Sequence, residues 1–377
     1  MPRALIISPQ SWEGFQVSKH HYARTLAAAG WEVIFADPPR PLGQAGAVQI
    51  TDTDVPGLRN LRYQTWFPYR IKFRARWLFD WAMARQARRI LQATGPLDLV
   101  WDFDNAYQFR SLKAFGARKS LFHLVDEPTP HGLGDKDADH FLYLDESYCS
   151  QAGHRPQSDY QISHGLSLPH AIEARKAAAQ ASPAPRRDRP VVGFVGNLAA
   201  GWIDWPAFTT MVQTHSEADF MFWGPLPVPD HAAFQALQAQ PNTQFLGLTP
   251  PTEIARAGAT VDIWTLPYDR ALLGVNPISS HKILEYLASG KVVVMDHQAG
   301  HVSNPHVVMT QSSGDGSLPM LLDQTLAQLD VVNAPDRIAA RRAYALDCTY
   351  DKRLAYITDL VKLPTPTPIQ QEALHAV

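Results

Sequence analysis

The stretch "NPISSHKILEYLASGKVVV" (276–294) sets Lys282 and Glu285 three residues apart. On an α-helix that spacing puts both side chains on one face. Two kinds of chemistry fit. The pair can be a solvated ion pair, contributing ~0.2–0.5 kcal/mol to an exposed helix. It can also grip a ligand. Free N–H groups at a helix start near Pro277–Ser280, with the hydroxyls of Ser279 and Ser280, suit a phosphate. Lys282 adds positive charge there, and Glu285 can accept two hydrogen bonds from the vicinal hydroxyls of a ribose. A diphosphate and a ribose are joined in every sugar nucleotide.

The elements that must position these groups follow from local signals. Asn276 suits an N-cap, Pro277 the first turn and Gly290 the left-handed residue after the last turn. Ile283, Leu284, Leu287 and Ala288 share the opposite, apolar side. Upstream, "VVGFV" (191–195), "FMFW" (220–223), "TQFL" (243–246) and "VDIWTL" (261–266) read as buried strands with helices between them. Asp204 can cap one of those helices. The first half alternates in the same way: "ALII" (4–7), "WEVIFA" (31–36), "LDLVW" (97–101), "SLFHLV" (120–125), "HFLYL" (140–144) and "YQIS" (160–163). In "VSKHHYARTLAAAG" the expected inward face is Val17, His21, Thr25, Leu26 and Ala29. His20 and His21 are adjacent, so they point apart and cannot form a metal pair.

Such alternation predicts an α/β chain of two Rossmann-like domains facing a cleft, with ligands at the carboxyl ends of the strands. The expected boundaries are 1–178, a proline-rich linker at 179–190 around "SPAPRRDRP", 191–345, and a C-terminal helix and tail at 346–377 that returns to the first domain. A length of 377 residues exceeds one ordinary core, in keeping with two domains. The net charge of −2 gives no global field for nucleic acid. Two cysteines, Cys149 and Cys348, have no metal-ligand spacing, which suits a reducing compartment. No run approaches the ~20 apolar residues of a membrane span.

"YRIKFRARWLFDWAMARQARRI" (69–90) carries seven Arg or Lys and one Asp. Phe73, Trp77, Trp81 and Ala84 share a helical stripe. Such a helix can lie on an anionic membrane surface, or its stripe can pack on the core.

"LPYDRALLGVNPISSHKILEYLASGKVVV" (266–294) resembles the donor-site signature of GT-B glycosyltransferases: a Pro-Tyr, a variable loop, a Lys-x-x-Glu-Tyr-Leu-Ala helix and a Gly-Lys-Val-Val strand. "VVGFVGNLAAGWIDW" (191–205), "FMFWGP" (220–225) and "PNTQFLG" (241–247) resemble the donor-domain strands. "LFHLVDEP" (121–128) and "ISHGLSLP" (162–169) echo the acceptor domain. The resemblance implies that Glu285 binds the ribose, that Asn276, Ser279, Ser280 and Lys282 surround the diphosphate, that Gly196 and Asn197 approach the phosphates or sugar, and that Gly247 and Leu248 lie near the base. Gly14 and Phe15, in the first βα loop, would approach donor or acceptor. Two departures stand out. Many retaining members carry a second glutamate where this chain has Pro277, and many carry an Arg and a Lys absent from "GNLAAGWIDW".

An inverting transfer also needs a general base. Asp126, directly after its strand, is the first candidate; His123 and Glu127 follow, and Asp126 can equally cap the "DEPTPHG" turn. The Asp-x-Asp in "WDFDN" (101–105) could hold a divalent metal, as in the other large glycosyltransferase fold; loop-start aspartates are the reading taken. The resulting expectation is a metal-independent enzyme without cofactor. It moves a sugar from a UDP- or GDP-sugar to a glycan, glycolipid or small-molecule hydroxyl, in the cytoplasm or at the inner face of the membrane. A non-catalytic sugar-nucleotide binder and a sugar-nucleotide epimerase of the same plan remain alternatives.

Overall fold

Runs of Val, Ile, Phe and Leu without polar alternation form parallel strands buried on both faces. The computed structural model describes residues 1–14, 16–40, 48–126, 136–145, 148, 159–180, 188–268, 280–312 and 314–364. Among them the chain divides into two units, Met1–His164 joined by the chain from Tyr350, and Gly165–Thr349.

The first unit holds strands β1 (Arg3–Ile7), β2 (Glu32–Ala36), β3 (Gln49–Asp52), β4 (Leu58–Arg62), β5 (Leu99–Asp102), β6 (Lys119–Leu124), β7 (His140–Tyr143) and β8 (Asp159–Gln161). Their order in the sheet is β3-β4-β2-β1-β5-β6-β7-β8. Only β3 runs antiparallel, against β4. Helix α1 (Ser18–Ala28) follows β1, and α2 (Arg76–Thr94) precedes β5. β3 and β4 carry Gln49, Asp52, Arg59 and Arg62, so they lack the apolar run that marks a strand, and the sequence reading passes over them.

The second unit opens with α3 (Leu168–Ala179). It continues through β9 (Val191–Val195), α4 (Trp205–Thr214), β10 (Asp219–Trp223), α5 (Ala232–Gln238), β11 (Thr243–Gly247), α6 (Pro251–Ala257), β12 (Ile263–Leu266), α7 (Lys282–Ala288), β13 (Val292–Met295) and β14 (Val307–Met309). Helices α8 (Leu318–Ala327), α9 (Leu329–Val332) and α10 (Pro335–Asp347) complete it, and α11 (Tyr350–Val361) belongs to the first unit. The sheet order is β11-β10-β9-β12-β13-β14, all parallel. Winding outward from β9 in both directions is the doubly wound pattern, with its reversal between β9 and β12.

Three expectations need correction. The first domain does not run to 178. Ala171 and Ala174 of α3 are buried in the second core, and α3 packs on α6, α7 and α10. The junction lies near Leu166, whose N–H donates to the Cys348 carbonyl at 2.7 Å. Proline content marks the linker composition but not where contacts change. Second, α1 turns Ser18, Lys19, His20, Tyr22, Ala23, Leu26 and Ala27 inward. Val17, His21, Thr25 and Ala29 are only half-buried. Third, the aromatic stripe of α2 does not pack on the core. Phe79, Ala82, Met83, Ala87 and Ile90 turn inward instead, while Phe73, Trp77 and Trp81 are 64%, 74% and 49% exposed.

Candidate functional site

In doubly wound sheets ligands lie outside the carboxyl ends of the strands, where the winding reverses. In the second unit three loops meet there through backbone alone. Gly196 N–H, just past β9, donates to the Trp223 carbonyl at 2.9 Å, and Gly224 N–H, just past β10, donates to the Gly247 carbonyl at 2.8 Å. Gly224 has φ +127°, and a Cβ there would run into the Gly196 carbonyl oxygen. Only glycine fits. Gly247 has φ +68° with open space where its Cβ would be, and Leu248 beyond it is 70% exposed. Asn197 is exposed, and its Oδ1 accepts from Ala199 N–H at 3.0 Å, an Asx turn that shapes the loop after β9.

Helix α7 is pinned to this edge by Tyr286. Its buried hydroxyl accepts from Val195 N–H at 2.8 Å and donates to the Val195 carbonyl at 3.1 Å, at the last residue of β9. Its ring stacks on Trp264 at 4.4 Å between centroids and 4° between planes. Trp264 Nε1–H donates to Ser289 Oγ at 3.0 Å. Burial drives the Tyr286 phenol well above its ordinary pKa, so it remains a neutral donor.

With Tyr286 fixed inward, Glu285 meets the start of α3. Ser167 Oγ donates to Glu285 Oε1 at 3.0 Å. Ser167 Oγ lies 2.8 Å from His170 Nδ1, which is 3.6 Å from Glu285 Oε1. The serine has one proton, and it goes to the carboxylate; His170 Nδ1–H therefore donates to the serine oxygen. Glu285 Oε2 accepts no hydrogen bond among the described residues. Among the described residues Lys282 reaches no carboxylate either; its Nζ lies 5.8 Å from the centre of the Tyr268 ring. The solvated Lys282–Glu285 ion pair does not form.

A cavity of about 140 Å³ lies between α3, α6 and α7, with His170, Trp264, Glu285, Arg256 and Arg342 among its walls. At ~30 Å³ of liquid per water it takes a few waters, well short of the ~300 Å³ at which small-molecule sites begin.

The start of α7 differs from expectation. The described helix begins at Lys282, and Asn276 and Ser279 lie outside the described residues. Ser280 N–H is not free; it donates to Oε1 of the buried Gln298 at 3.2 Å. Positive charge at this end therefore comes from Lys282.

In the first unit the candidate acids and bases are engaged. Lys19 Nζ, from the first turn of α1, donates to Asp126 Oδ2 at 3.0 Å; the lysine side chain is 2% exposed and the aspartate 50%. His123 is buried among Tyr22, Trp101 and Phe103, and stacks on Trp101 at 5.9 Å and 10°. Neither of its ring nitrogens has a hydrogen-bond partner among the described residues. Burial lowers its pKa to about 3, with smaller repulsion from His164 and Lys19. A group so placed is a core histidine and takes no proton at neutral pH. Glu127 and Phe15 lie outside the described residues. Gly14 closes a turn, its N–H donating to the Ser11 carbonyl at 3.0 Å. His20 Nε2 holds that same carbonyl at 3.1 Å.

The Asp-x-Asp is also spoken for. Asp102 and Asp104 are fully buried. Asp102 pairs with buried Lys136 and accepts from Asp104 N–H, while Asp104 accepts from the N–H groups of Ala106 and Gln108. Burial raises Asp102 to about 6 despite Lys136. No group of three or more His, Cys, Asp or Glu among the described residues could hold a metal ion.

Sequence reading missed Ser167, His170, Gly224 and Tyr286. Tyr286 carried a signal, as part of the Glu-Tyr pair. Ser167 and His170 carried none, since 118 residues separate Ser167 from Glu285.

No protein-family model matches the chain, and no curated protein matches it in sequence. Solved structures do. Sucrose-phosphate synthase from Thermosynechococcus elongatus superposes with TM-score 0.65 at 13% identity, over 96% of this chain and 98% of that one. Anabaena HepE in complex with UDP-glucose gives 0.64 at 13%, over 96% and 99%. A UDP-forming trehalose-phosphate synthase from Burkholderia xenovorans gives 0.63 at 14%, over 97% and 100%. The fold is GT-B. At such identity the likeness speaks for the arrangement of sheets and helices in each unit, and leaves activity to the site.

Proposed function

We propose that this GT-B chain is a glycosyltransferase that takes a hexose from a UDP-sugar and delivers it to a hydroxyl of a glycan, glycolipid or small molecule, at the cytoplasmic face of a membrane. The observation that carries this reading is Glu285: among the described residues one carboxylate oxygen is held by Ser167 and the other is open, one helical turn from Lys282, whose charge no described carboxylate neutralises. The open oxygen suits a ribose hydroxyl, and the lysine suits the leaving diphosphate, whose charge grows in the transition state. Gly196 and Gly224 bring backbone close together at that edge, where a Cβ on Gly224 would strike the Gly196 carbonyl. The UDP-glucose complex of HepE and the UDP-forming synthase favour uridine as the base. The reaction is proposed to need neither metal nor cofactor, since Asp102 and Asp104 already bind Lys136 and backbone N–H groups.

One observation favours a second reading, a non-catalytic sugar-nucleotide binder. Asp126, the described base candidate, is tied to Lys19. UDP release separates the readings: a transferase frees UDP when acceptor is added, a binder frees none, and an epimerase alters the donor sugar instead.

Calorimetry with UDP, GDP, dTDP, ADP and CMP tests the donor site. UDP is expected to bind the wild type, and Glu285→Gln to lose about 1–3 kcal/mol, as for hydrogen bonds to a charged group. Equal binding by both proteins would return Glu285 to a structural role. No binding of UDP or of an intact UDP-sugar to the wild type would end the reading.

A further inference from the structure

Helix α2 has two apolar faces, and only one of them is covered. The inward face is Phe79, Met83, Ala87 and Ile90. At ~100° per residue, Trp77 and Trp81 lie on the opposite side of the helix. They join Phe73, from the 3-10 turn Tyr69–Phe73 that precedes α2, and Trp66 just before it. Trp66 is 43% exposed, so four large aromatics reach solvent within 66–81.

Charge on the same surface has one sign. Arg70, Arg74, Arg85, Arg88 and Arg89 are exposed. The sole acidic residue of 66–93 is Asp80, and it is ion-paired to Arg76 and Arg110. Arg85 lies over the Trp81 ring at 5.0 Å and Arg89 over Trp66 at 5.8 Å. Guanidinium groups are thus held beside the indoles. Three tryptophans with flanking arginines match a bilayer interface: indoles sit at headgroup depth, and arginines pair with lipid phosphates. No helix is long and apolar enough to cross a membrane among the described residues, so the contact is peripheral.

We propose that Trp66, Phe73, Trp77 and Trp81, with the flanking arginines, dock the first unit onto an anionic lipid bilayer. The surface deepens the membrane-face part of the proposed function and needs nothing from the donor site.

Co-sedimentation with vesicles tests it, using pure phosphatidylcholine and equimolar phosphatidylcholine and phosphatidylglycerol. The full chain is expected to sediment with the anionic vesicles at low salt and to be released as salt rises. Trp77→Ala/Trp81→Ala should lower the partition coefficient by on the order of tenfold or more, because it removes inserted apolar area. Arg85→Glu/Arg88→Glu should abolish the preference for anionic lipid. These side chains are exposed, so both variants should keep the wild-type melting temperature and UDP calorimetry, and a failed donor site would leave the vesicle result standing. Absence of wild-type binding to anionic vesicles would overturn the proposal, as would binding indifferent to the tryptophan pair. A dimer that the tryptophan substitutions dissociate, without any vesicle binding, would assign the patch to a second copy instead.

Discussion

At the carboxyl edge of the second sheet, the loops after β9, β10 and β11 meet glycine to glycine, and the two charged side chains of α7 are only partly engaged: among the described residues Glu285 has one oxygen held by Ser167 and the other open, and Lys282 has no carboxylate partner. At the same edge of the first sheet the charges are consumed. Lys19 holds Asp126, Lys136 holds Asp102, Asp104 caps a turn, and His123 is sealed among rings. The difference separates an edge whose charged groups remain partly available from one whose charges hold its own loops. A donor nucleotide needs the first kind. An acceptor glycan, neutral and rich in hydroxyls, makes far smaller electrostatic demands.

The largest expected effect attacks the backbone contact that makes the second edge. Gly224→Ala forces a Cβ into the Gly196 carbonyl at positive φ, and should destabilise the second unit by about 3 kcal/mol or more while abolishing UDP binding. Gly14→Ala is the matched change in the first unit. Its Cβ would sit 3.1 Å from the Ser11 carbonyl at ordinary φ, and should cost about 1 kcal/mol or less. Urea unfolding of both variants measures the contrast; equal costs would erase it.

Next in size is the acid response of the first unit. His123 titrates near 6.5 when unfolded and at about 3 when folded. The unfolded chain therefore binds more protons between those values, and stability is lost as pH falls from 6.5 toward 3. Asp102, raised to about 6, works oppositely between about 6 and 3.8. His123→Phe removes the first effect and leaves the second. At pH ~4.5 it should recover roughly 2–3 kcal/mol relative to wild type, measured against the difference at neutral pH. Identical pH profiles for the two proteins would show that His123 is not sealed.

Tyr286→Phe should cost about 1–3 kcal/mol, since it strips the half-buried Val195 N–H of its partner. It should also weaken UDP binding, because α7 loses its tie to β9. Stability loss with unchanged affinity would show that the tie does not position Glu285.

Legibility follows the same divide. The strands around "VVGFV" and "KVVVM" announce themselves as apolar runs, and Asp204 caps α4 as its type and place suggest, accepting from Ala207 N–H at 2.8 Å. Local signals suffice for such features. The sign of an amphipathic face is not local. α2 carries two apolar stripes, and only tertiary packing decides that Phe79 and Met83 go in while Trp77 and Trp81 go out. His123 stands among the base candidates, behind Asp126, because sequence cannot show rings closing over it. The partners of Glu285 are legible least of all, since Ser167 meets it only after the second unit has folded.

That last contact sets the smallest and most discriminating test. Ser167→Ala leaves Glu285 in place but removes the donor that orients its Oε1, and frees His170 Nδ1 to approach the carboxylate from its present 3.6 Å. A direct histidine bond would compensate in part, so the cost in stability should be about 1 kcal/mol or less. If Glu285 binds ribose through Oε2, its orientation matters more to affinity than to folding, and UDP binding should fall by roughly fivefold. Ser167→Thr, which keeps the hydroxyl, should restore most of it. Calorimetry on the two variants reads the difference directly. An alanine variant that binds UDP as the wild type does would mean that the serine braces α3 against α7 and that the open oxygen is not where the nucleotide sits.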